Sequence, residues 1–271
     1  MRNSIFRVGA AVVLGGLALT ACAPSAVIGT RYCQEWPGPD SGSPPDPTVP
    51  ISLSWSTGFE DGFCGYAPPS GYCYTAQAGT YSVVTSPVHS GRYAAAFQVQ
   101  SDAAGGSQSQ ARCIVQGALP TTAYYGAWYY VPAAAQVNDG GLWNLFHFTA
   151  GLLPEAGPPR PIWDVELISQ DDAGIRTQLY GFPPTGGTPE AGVVPPIPIT
   201  QWFHIEVYYK HTNDNTGELL LFQDGVLAAR LDGLNPDDSV WGQWFVGNLA
   251  AGLQPAASTI YVDDVTIRAS P

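Results

Sequence analysis

Hydrophobic and polar positions alternate along short stretches of this chain, and this period of two is typical of β-strands that bury one face. Stretches rich in β-branched and aromatic residues recur from residue 52 onward; they are YSVVTSPV, RYAAAFQVQ, ARCIVQ, YYGAWYYV, LWNLFHF, WDVELI, IRTQLYG, WFHIEVYYK, ELLLFQDGVLAARL, QWFVGNLA and TIYVDDVTI. Turn-forming segments such as NDGG and NDNTG separate them. No stretch sustains a helical period, so the pattern predicts one all-β sandwich over residues 52–271.

The clearest turn signal is FQDGVL, at residues 222–227. The Asp224-Gly225 pair suits a two-residue type I′ turn, because both central residues of that turn need a positive φ. We therefore expect an antiparallel hairpin centred on this pair.

The N-terminal residues follow a different pattern. Arg2 and Arg7 make the first residues basic, and an apolar run follows over residues 8–19. The run is too short to span a bilayer, and the pattern predicts a signal peptide over residues 1–21. The run ends in LTAC, which resembles the lipobox of bacterial lipoproteins and implies that Cys22 carries a lipid. An ordinary signal peptide with a chance cysteine is the alternative.

Residues 22–51 are rich in Pro, Gly, Ser and Asp and predict an extended spacer between the lipid and the folded domain. We expect an exported protein held at the cell envelope, on the outer membrane or the cell surface. No later stretch is long and apolar enough for a transmembrane helix, so we expect the lipid to be its only contact with the membrane.

The remaining cysteines are Cys33, Cys64, Cys73 and Cys113. Four cysteines in an exported chain predict two disulfides, and three pairings are possible. One pairing joins Cys64 to Cys73 around the short loop CGYAPPSGYC and leaves Cys33 for Cys113. Zinc is the competing interpretation, but no cysteine pair has the spacing of zinc ligands.

The chain is strongly acidic, with 10 Lys and Arg against 22 Asp and Glu and a formal net charge of −12. This balance argues against nucleic acid as a partner. It also disfavours electrostatic capture of a polyanion, although a local basic groove stays compatible with it. Lys210 is the only lysine. We expect the protein to be a monomer.

Several segments together resemble the concanavalin A-like lectin/glucanase superfamily of jelly rolls. They are WFHIEVYYK (202–210), GELLLFQDG (217–225), YVDDVTI (261–267), GFEDGF (58–63) and SGRYAAAF (90–97). Their order is similar to that of the polysaccharide lyases of this fold, and the resemblance covers nearly all of residues 52–271. It implies a two-sheet antiparallel jelly-roll β-sandwich whose concave sheet forms a sugar groove.

The resemblance leaves three functional interpretations open, because one fold hosts many activities. The first is a surface lipoprotein that binds polysaccharide. The second is a polysaccharide lyase that cleaves a uronate-containing polymer by β-elimination. The third is a structural or adhesive envelope protein.

A pair of aspartates interrupts the last apolar stretch. Simple alternation places Asp263 on one face with Tyr261 and Val265, where a carboxylate needs compensation. The resemblance implies that the first and last strands are neighbours, which brings Glu60 near Asp263 with a structural Ca²⁺ between them. Asp264 is the reserve ligand. The alternative is that Asp263 accepts backbone N–H groups at a strand end or pairs with an arginine.

The lyase interpretation needs a group that neutralises the uronate carboxylate, a base for the C5 proton and an acid for the leaving oxygen. By the resemblance, Arg112 or Gln178 neutralises, His147 is the base and Tyr180 is the acid. Gln110 shares the face of Arg112. The Gln-x-His triplet of the alginate lyases is absent, and the late stretch WFVGNLA lacks their tyrosine. An ordinary packed histidine is the alternative for His147.

Other candidate residues serve different chemistry. Asp164 and Glu166 share a face in WDVEL, as a hydrolase pair of carboxylates would. The candidates for sugar contacts are Trp128, Trp143, Arg176 and Trp244, with core packing as the alternative for each tryptophan. Alternation also aligns four residues of segment 202–210, for which we prefer a solvated outer face over a catalytic set; they are His204, Glu206, Tyr208 and Lys210.

Overall fold

The computed structural model describes residues 54–101, 108–151, 160–169, 174–182, 190–191, 195–234 and 241–270. These ranges contain a short 3₁₀ helix, Cys64–Tyr66, and fifteen strands. The strands are β1 (Ser54–Thr57), β2 (Gly71–Ala76), β3 (Thr80–Val84), β4 (Ala94–Gln100), β5 (Ser109–Gly117), β6 (Thr122–Tyr130), β7 (Gln136–Ala150), β8 (Arg160–Ser169), β9 (Ile175–Gly181), β10 (Glu190–Ala191), β11 (Trp202–Lys210), β12 (Gly217–Gln223), β13 (Val226–Leu234), β14 (Gly242–Gln254) and β15 (Ala257–Ala269). Within these ranges, no helix has the length and apolar character needed to cross a membrane.

Two antiparallel sheets pack face to face. The nine-stranded sheet has the order β10-β13-β12-β11-β6-β15-β4-β3, and β1 pairs with β15 beside this path. The six-stranded sheet has the order β2-β5-β14-β7-β8-β9. The first and last strands are neighbours, with Ser54 opposite Arg268. This architecture confirms the predicted jelly-roll β-sandwich.

Strict alternation on β11 builds one side of the core. Phe203, Ile205, Val207 and Tyr209 are buried between the sheets. The Tyr209 ring packs edge-on against Phe148 of the six-stranded sheet, with ring centroids 5.0 Å apart. The opposite face of β11 carries the four residues that the sequence analysis assigned to an outer face, so they lie on the far side of the sandwich from the six-stranded sheet. Glu206 forms an ion pair there with Arg268.

The predicted hairpin is present between β12 and β13. Both turn residues have a positive φ, 51° at Asp224 and 77° at Gly225. These are the dihedral signs that a type I′ turn requires.

A disulfide links the two edge-most strands on one side of the six-stranded sheet. Cys73 on β2 is bonded to Cys113 on β5, and the two residues are directly opposite each other in the strand register. The predicted pairings of Cys64 with Cys73 and of Cys33 with Cys113 are therefore wrong, because Cys73 lies on a strand whose neighbour β5 places Cys113 directly opposite it. Cys64 is also disulfide-bonded. Cys33 and the predicted lipid site Cys22 lie outside the described residues.

The aspartate pair on β15 sits in a β-bulge. The register with β6 shifts between Asp263 and Thr266, and Asp264 has a φ of 46°. Tyr261 is partly exposed, whereas Val265 is buried in the core. The predicted common face of Tyr261, Asp263 and Val265 is therefore wrong, because the bulge reverses the alternation within the strand.

Candidate active site

A groove of about 430 Å³ lies on the face of the six-stranded sheet that points away from the core. Side chains from all six strands line it. Two cross-strand rows form most of its floor. The first row runs across β14, β7, β8 and β9 and consists of Phe245, His147, Asp164 and Tyr180. The second row runs across the same strands and consists of Leu249, Asn144, Glu166 and Gln178.

A β-bulge in β7 decides which residues face the groove. Asn144 pairs with Glu166 of β8 while Phe146 pairs with Val165, so two β7 residues oppose one β8 residue and Leu145 is the extra one. Asn144 and His147 consequently share the groove face although three positions separate them. Strict alternation in the sequence predicts that Trp143 and His147 share a face; this prediction is wrong, because the bulge leaves Trp143 in the core and turns His147 to the groove.

Arg112 is the central cation of the groove. Its side chain is 4% exposed, and its Nη2 donates to Oδ1 of Asn144 at 2.9 Å. The guanidinium crosses β14 at Gly247, which lies opposite Arg112 in the register. A Cβ at Gly247 would lie 2.4 Å from the carbonyl oxygen of Ala111, so the glycine both permits the close strand approach and leaves the space above it open.

Phe245 brings the cation and the histidine to one place. The guanidinium carbon of Arg112 lies 5.5 Å from the centroid of the Phe245 ring. The His147 ring centroid lies 5.0 Å from the same centroid. Arg112 and His147 therefore both contact the same aromatic ring in the groove.

His147 is oriented by a carboxylate. Its Nδ1 contacts Oδ1 of Asp164 in a short hydrogen bond. Because Nδ1 is engaged there, Nε2 is the nitrogen that can exchange a proton with a bound ligand. Burial, together with the charge of Asp164, raises the pKa of Glu166 to about 7.

Tyr74 stands at the β2 side of the groove. Its hydroxyl donates to Oε1 of Gln110 at 2.8 Å, and it lies directly opposite Arg112 in the register. Burial raises the pKa of the Tyr74 phenol, and the Arg112 guanidinium partly opposes this shift. Burial likewise lowers the pKa of Arg112, which the neighbouring Tyr74 and Asp164 oppose.

The structure brings together three of the four residues predicted for catalysis, since Arg112, His147 and Tyr180 all line the groove. Gln178 lies in the second row on β9 but does not line the cavity. Arg176 shares the β9 face of Gln178 and Tyr180 and also lies outside the cavity lining. Tyr74 and Asn144 also line the groove, and neither was among the residues predicted from the sequence.

None of the three candidate tryptophans lines the groove. Trp143 and Trp244 are 0% exposed and belong to the core, as the packing alternative had it. The indole nitrogen of Trp143 donates to Oδ1 of the buried Asn248 at 3.2 Å. Trp128 lies on β6 of the other sheet and stacks on His89, with ring centroids 3.8 Å apart.

Asp263 and Glu60, the two predicted calcium ligands, both accept hydrogen bonds from the backbone of residues 89–93. Both carboxylate oxygens of Asp263 accept backbone N–H groups, from residues 89–90 at 3.0 and 3.1 Å and from Asp264 at 2.8 Å. Glu60 Oε1 accepts those of residues 92–93 at 2.8 and 3.1 Å. These amides supply the compensation that a buried Asp263 needs. Among the described residues, no group of three or more His, Cys, Asp or Glu is arranged to hold a metal, and calcium stays a prediction.

No protein-family model matches the chain, and no curated protein sequence matches it. Solved structures do match. The chain is similar to the endo-β-1,4-glucuronan lyase from the fungus Trichoderma reesei, at 18% identity and a TM-score of 0.54 over 75% of this chain and 92% of that one. It is also similar to the marine PL-14 alginate lyase from Aplysia kurodai, at 14% identity and a TM-score of 0.56 over 80% of this chain and 98% of that one. The chain thus has the all-β jelly-roll fold of structural neighbours that are polysaccharide lyases.

Proposed function

We propose that this protein is a polysaccharide lyase that cleaves a uronate-containing polymer by β-elimination. The observation that supports it is the convergence of two pairs in one groove: Arg112 with Asn144, and His147 with Asp164. A site that only binds a sugar needs no side chain placed for proton transfer. A buried cation beside an oriented histidine adds what acid–base chemistry on a carboxylated sugar requires.

Arg112 and Asn144 are suited to neutralise the uronate carboxylate. Oδ1 of Asn144 accepts a hydrogen bond from Arg112. The NH₂ group of the Asn144 amide is therefore the part that can donate to a ligand. Donors aimed at the carboxylate stabilise the negative charge that develops when C5 loses its proton. This neutralisation makes the C5 proton acidic enough to be removed.

His147 is the proposed base. Nε2 takes the C5 proton, the electron pair of the C5–H bond forms the C4=C5 double bond, and the C4–O4 bond breaks. Asp164 holds the imidazole through Nδ1 and stabilises the imidazolium that forms. The product is a 4,5-unsaturated uronate at the new non-reducing end.

Tyr180 is the proposed acid that donates a proton to the departing O4. It lies in the same cross-strand row as His147 and Asp164, and 42% of its surface is exposed at the groove. Tyr74 is the other phenol, but its hydroxyl proton is already donated to Gln110. We assign Tyr74 to positioning of Arg112 and the substrate.

A second candidate function, glycoside hydrolysis, has one observation in its favour. Asp164 and Glu166 both line the groove, and Glu166 has a pKa of about 7, as a general acid would. Asp164 is bonded to His147, however, and this leaves Glu166 without a partner carboxylate suited to nucleophilic or base catalysis.

The test uses the mature chain with Cys22→Ser, with and without Ca²⁺, on a panel of uronate polysaccharides. We expect a rise in the ultraviolet absorbance of the unsaturated uronate that is lost in His147→Ala. His204→Ala, which changes a histidine on the other sheet, is the matched control and keeps the activity. New reducing ends without absorbance would indicate a hydrolase, and binding without cleavage would indicate a carbohydrate-binding protein; either result contradicts the lyase.

We further propose that the protein is exported and attached to the envelope through a lipid on Cys22. The supporting observation is the lipobox-like LTAC at residues 19–22, behind a basic and apolar leader. Mass spectrometry of the mature N-terminus tests it. A mature N-terminus that carries no lipid, whether the chain begins before or after Cys22, would contradict lipid attachment.

A further inference from the structure

The charges of the groove are not those of a surface that binds a polyanion along its whole length. Among the described residues that line the cavity, Arg112 is the only Arg or Lys, whereas Asp164 and Glu166 are both carboxylic acids. Lys210, the only lysine of the chain, lies on β11 in the other sheet. The groove therefore presents one fixed cation and two acidic groups to a bound polymer.

These charges are separated along the sheet. Arg112 is on β5 and reaches Asn144 on β7, while both carboxyl groups are on β8, the next strand. Toward β2 the lining residues are the uncharged Tyr74 of β2 and, earlier in the chain than Arg112, Gln108 and Gln110. With strands spaced about 4.8 Å apart, the contact of Arg112 with Asn144 on β7 lies about one strand spacing from the carboxyl groups on β8 and about three strand spacings from β2, so a polymer that crosses the groove spans both environments.

The Asp164 carboxyl group cannot rotate away from the groove without losing its hydrogen bond to His147. Asp164 is 6% exposed and bonded to His147. Glu166 stands between Asn144 of β7 and Gln178 of β9 in the second row, and both of these neighbours are uncharged amides. Arg176 is the next cation on β9, at a register position opposite Ile168 and beyond the cavity lining.

We propose, building on the lyase function above, that the substrate is a heteropolysaccharide in which single uronates are flanked by uncharged sugars. Arg112 and Asn144 take the one carboxylate at the cleavage site. Glu166, with Asp164, excludes a second uronate at the neighbouring position on the β8 side by charge repulsion. Amide and hydroxyl groups on the β2 side bind neutral sugars.

The experiment compares a homopolyuronate with its own partly carboxyl-reduced form. Reduction of most carboxyl groups of an alginate or glucuronan chain leaves single uronates among neutral sugars of unchanged linkage. At about pH 8.5, where Glu166 with its pKa of about 7 is ionised, we expect the mature wild-type chain to cleave the reduced polymer faster per remaining uronate than the parent. We expect Glu166→Gln to lower the ratio of the rate on the reduced polymer to the rate on the parent polymer by about tenfold, because the substitution removes one nearby like charge.

Glu206→Gln is the matched control, because Glu206 is a carboxylate on the other sheet, paired with Arg268. It is expected to leave the ratio unchanged. Faster cleavage of the parent polymer, or equal shifts in the two Gln variants, would overturn the proposed specificity while leaving the lyase function intact. Cleavage of neither form of any backbone would instead count against the lyase function itself.

Discussion

The guanidinium of Arg112 on β5 crosses a whole strand to reach Asn144 on β7, with Nη2 and Oδ1 2.9 Å apart. The strand between them, β14, contributes Gly247 at the crossing point. The cation is therefore fixed in the floor of the groove by its neighbours, and this fixed position is what the proposed neutralisation of a carboxylate depends on.

We predict that Arg112→Lys lowers kcat/KM by about 10²-fold or more, because a lysine ammonium has no planar fork with which to hold Asn144 and a carboxylate together. The rate of formation of unsaturated uronate measures the effect. Thermal melting followed by circular dichroism distinguishes a folding defect from a loss of catalysis. A variant with the wild-type rate would show that Arg112 does not contact the substrate carboxylate.

Gly247 should tolerate no side chain. Its φ is 144°, and a Cβ would lie 2.4 Å from the Ala111 carbonyl oxygen and 2.9 Å from the Arg112 Cα. We predict that Gly247→Ala lowers the free energy of unfolding by about 2–4 kcal/mol in urea titrations.

Gly225→Ala is the matched control for this substitution. Gly225 also has a positive φ, 77°, but its Cβ would meet no atom within 4 Å. It should cost only the backbone strain, about 1–2 kcal/mol. Equal losses in the two variants would show that the close approach at Gly247 carries no cost beyond its φ.

The alternation of residues along the strands predicted most of the fold. Every apolar stretch identified in the sequence overlaps a strand, and the Asp224-Gly225 turn is present, because period-two patterns and turn residues are local signals. The two sheets follow from burial of the apolar faces that this alternation creates.

The bulges explain where the same reasoning failed. Leu145 in β7 and Asp264 in β15 each break the period of two, so Asn144 was missed and Tyr261 and Asp263 were assigned to the face of Val265. A bulge depends on how a strand meets its partners, and this is not visible in a single stretch. Tyr74 was missed because residues 64–73 were interpreted as a disulfide-closed loop, whereas β2 begins at Gly71.

The disulfide between β2 and β5 should stabilise the domain by restricting the unfolded chain. Cys73 and Cys113 are 40 residues apart in sequence, and closure of a loop of this length contributes about 4 kcal/mol in the chain-entropy model. We predict a loss of about this size in the double Ser variant, measured by urea titration. Because Tyr74 follows Cys73 on the same strand, a loss of activity below the melting temperature would show that the disulfide also positions the groove.

Asp263 should be essential for stability. Its carboxylate is 0% exposed and accepts three backbone N–H groups, so Asp263→Asn turns an NH₂ toward donors and should cost about 2 kcal/mol or more. Calcium, if it binds between Asp263 and Glu60, adds stability according to its concentration. We expect Ca²⁺ to raise the wild-type melting temperature relative to EDTA. Equal melting temperatures would mean that these carboxylates act through the amides alone.

Glu166 should make the protein less stable as the pH rises. Its folded pKa is about 7 against a usual 4.5, so between these values the folded state holds a proton that the unfolded state has released. The free energy of unfolding contributed by this group therefore falls from about pH 4.5 to about pH 7 and is constant outside that window. Burial is the larger cause of the raised pKa of Glu166, and the negative charge of Asp164 is the smaller one.

The comparison of wild type with Glu166→Gln isolates this titration. The charged or titratable groups around Glu166 are Asp164 on its own strand, His147 on β7, Tyr180 and Arg176 on β9, and Arg112 on β5. These groups are common to both proteins, so the difference between their unfolding free energies reports the Glu166 proton. We expect the wild type to lose stability relative to Glu166→Gln between about pH 4.5 and about pH 7, in urea titrations at constant ionic strength, by more than the scatter of the measurement. A difference that does not change with pH would mean that Glu166 has the same pKa in the folded and unfolded states, and its carboxylate would then already repel a second uronate near neutral pH.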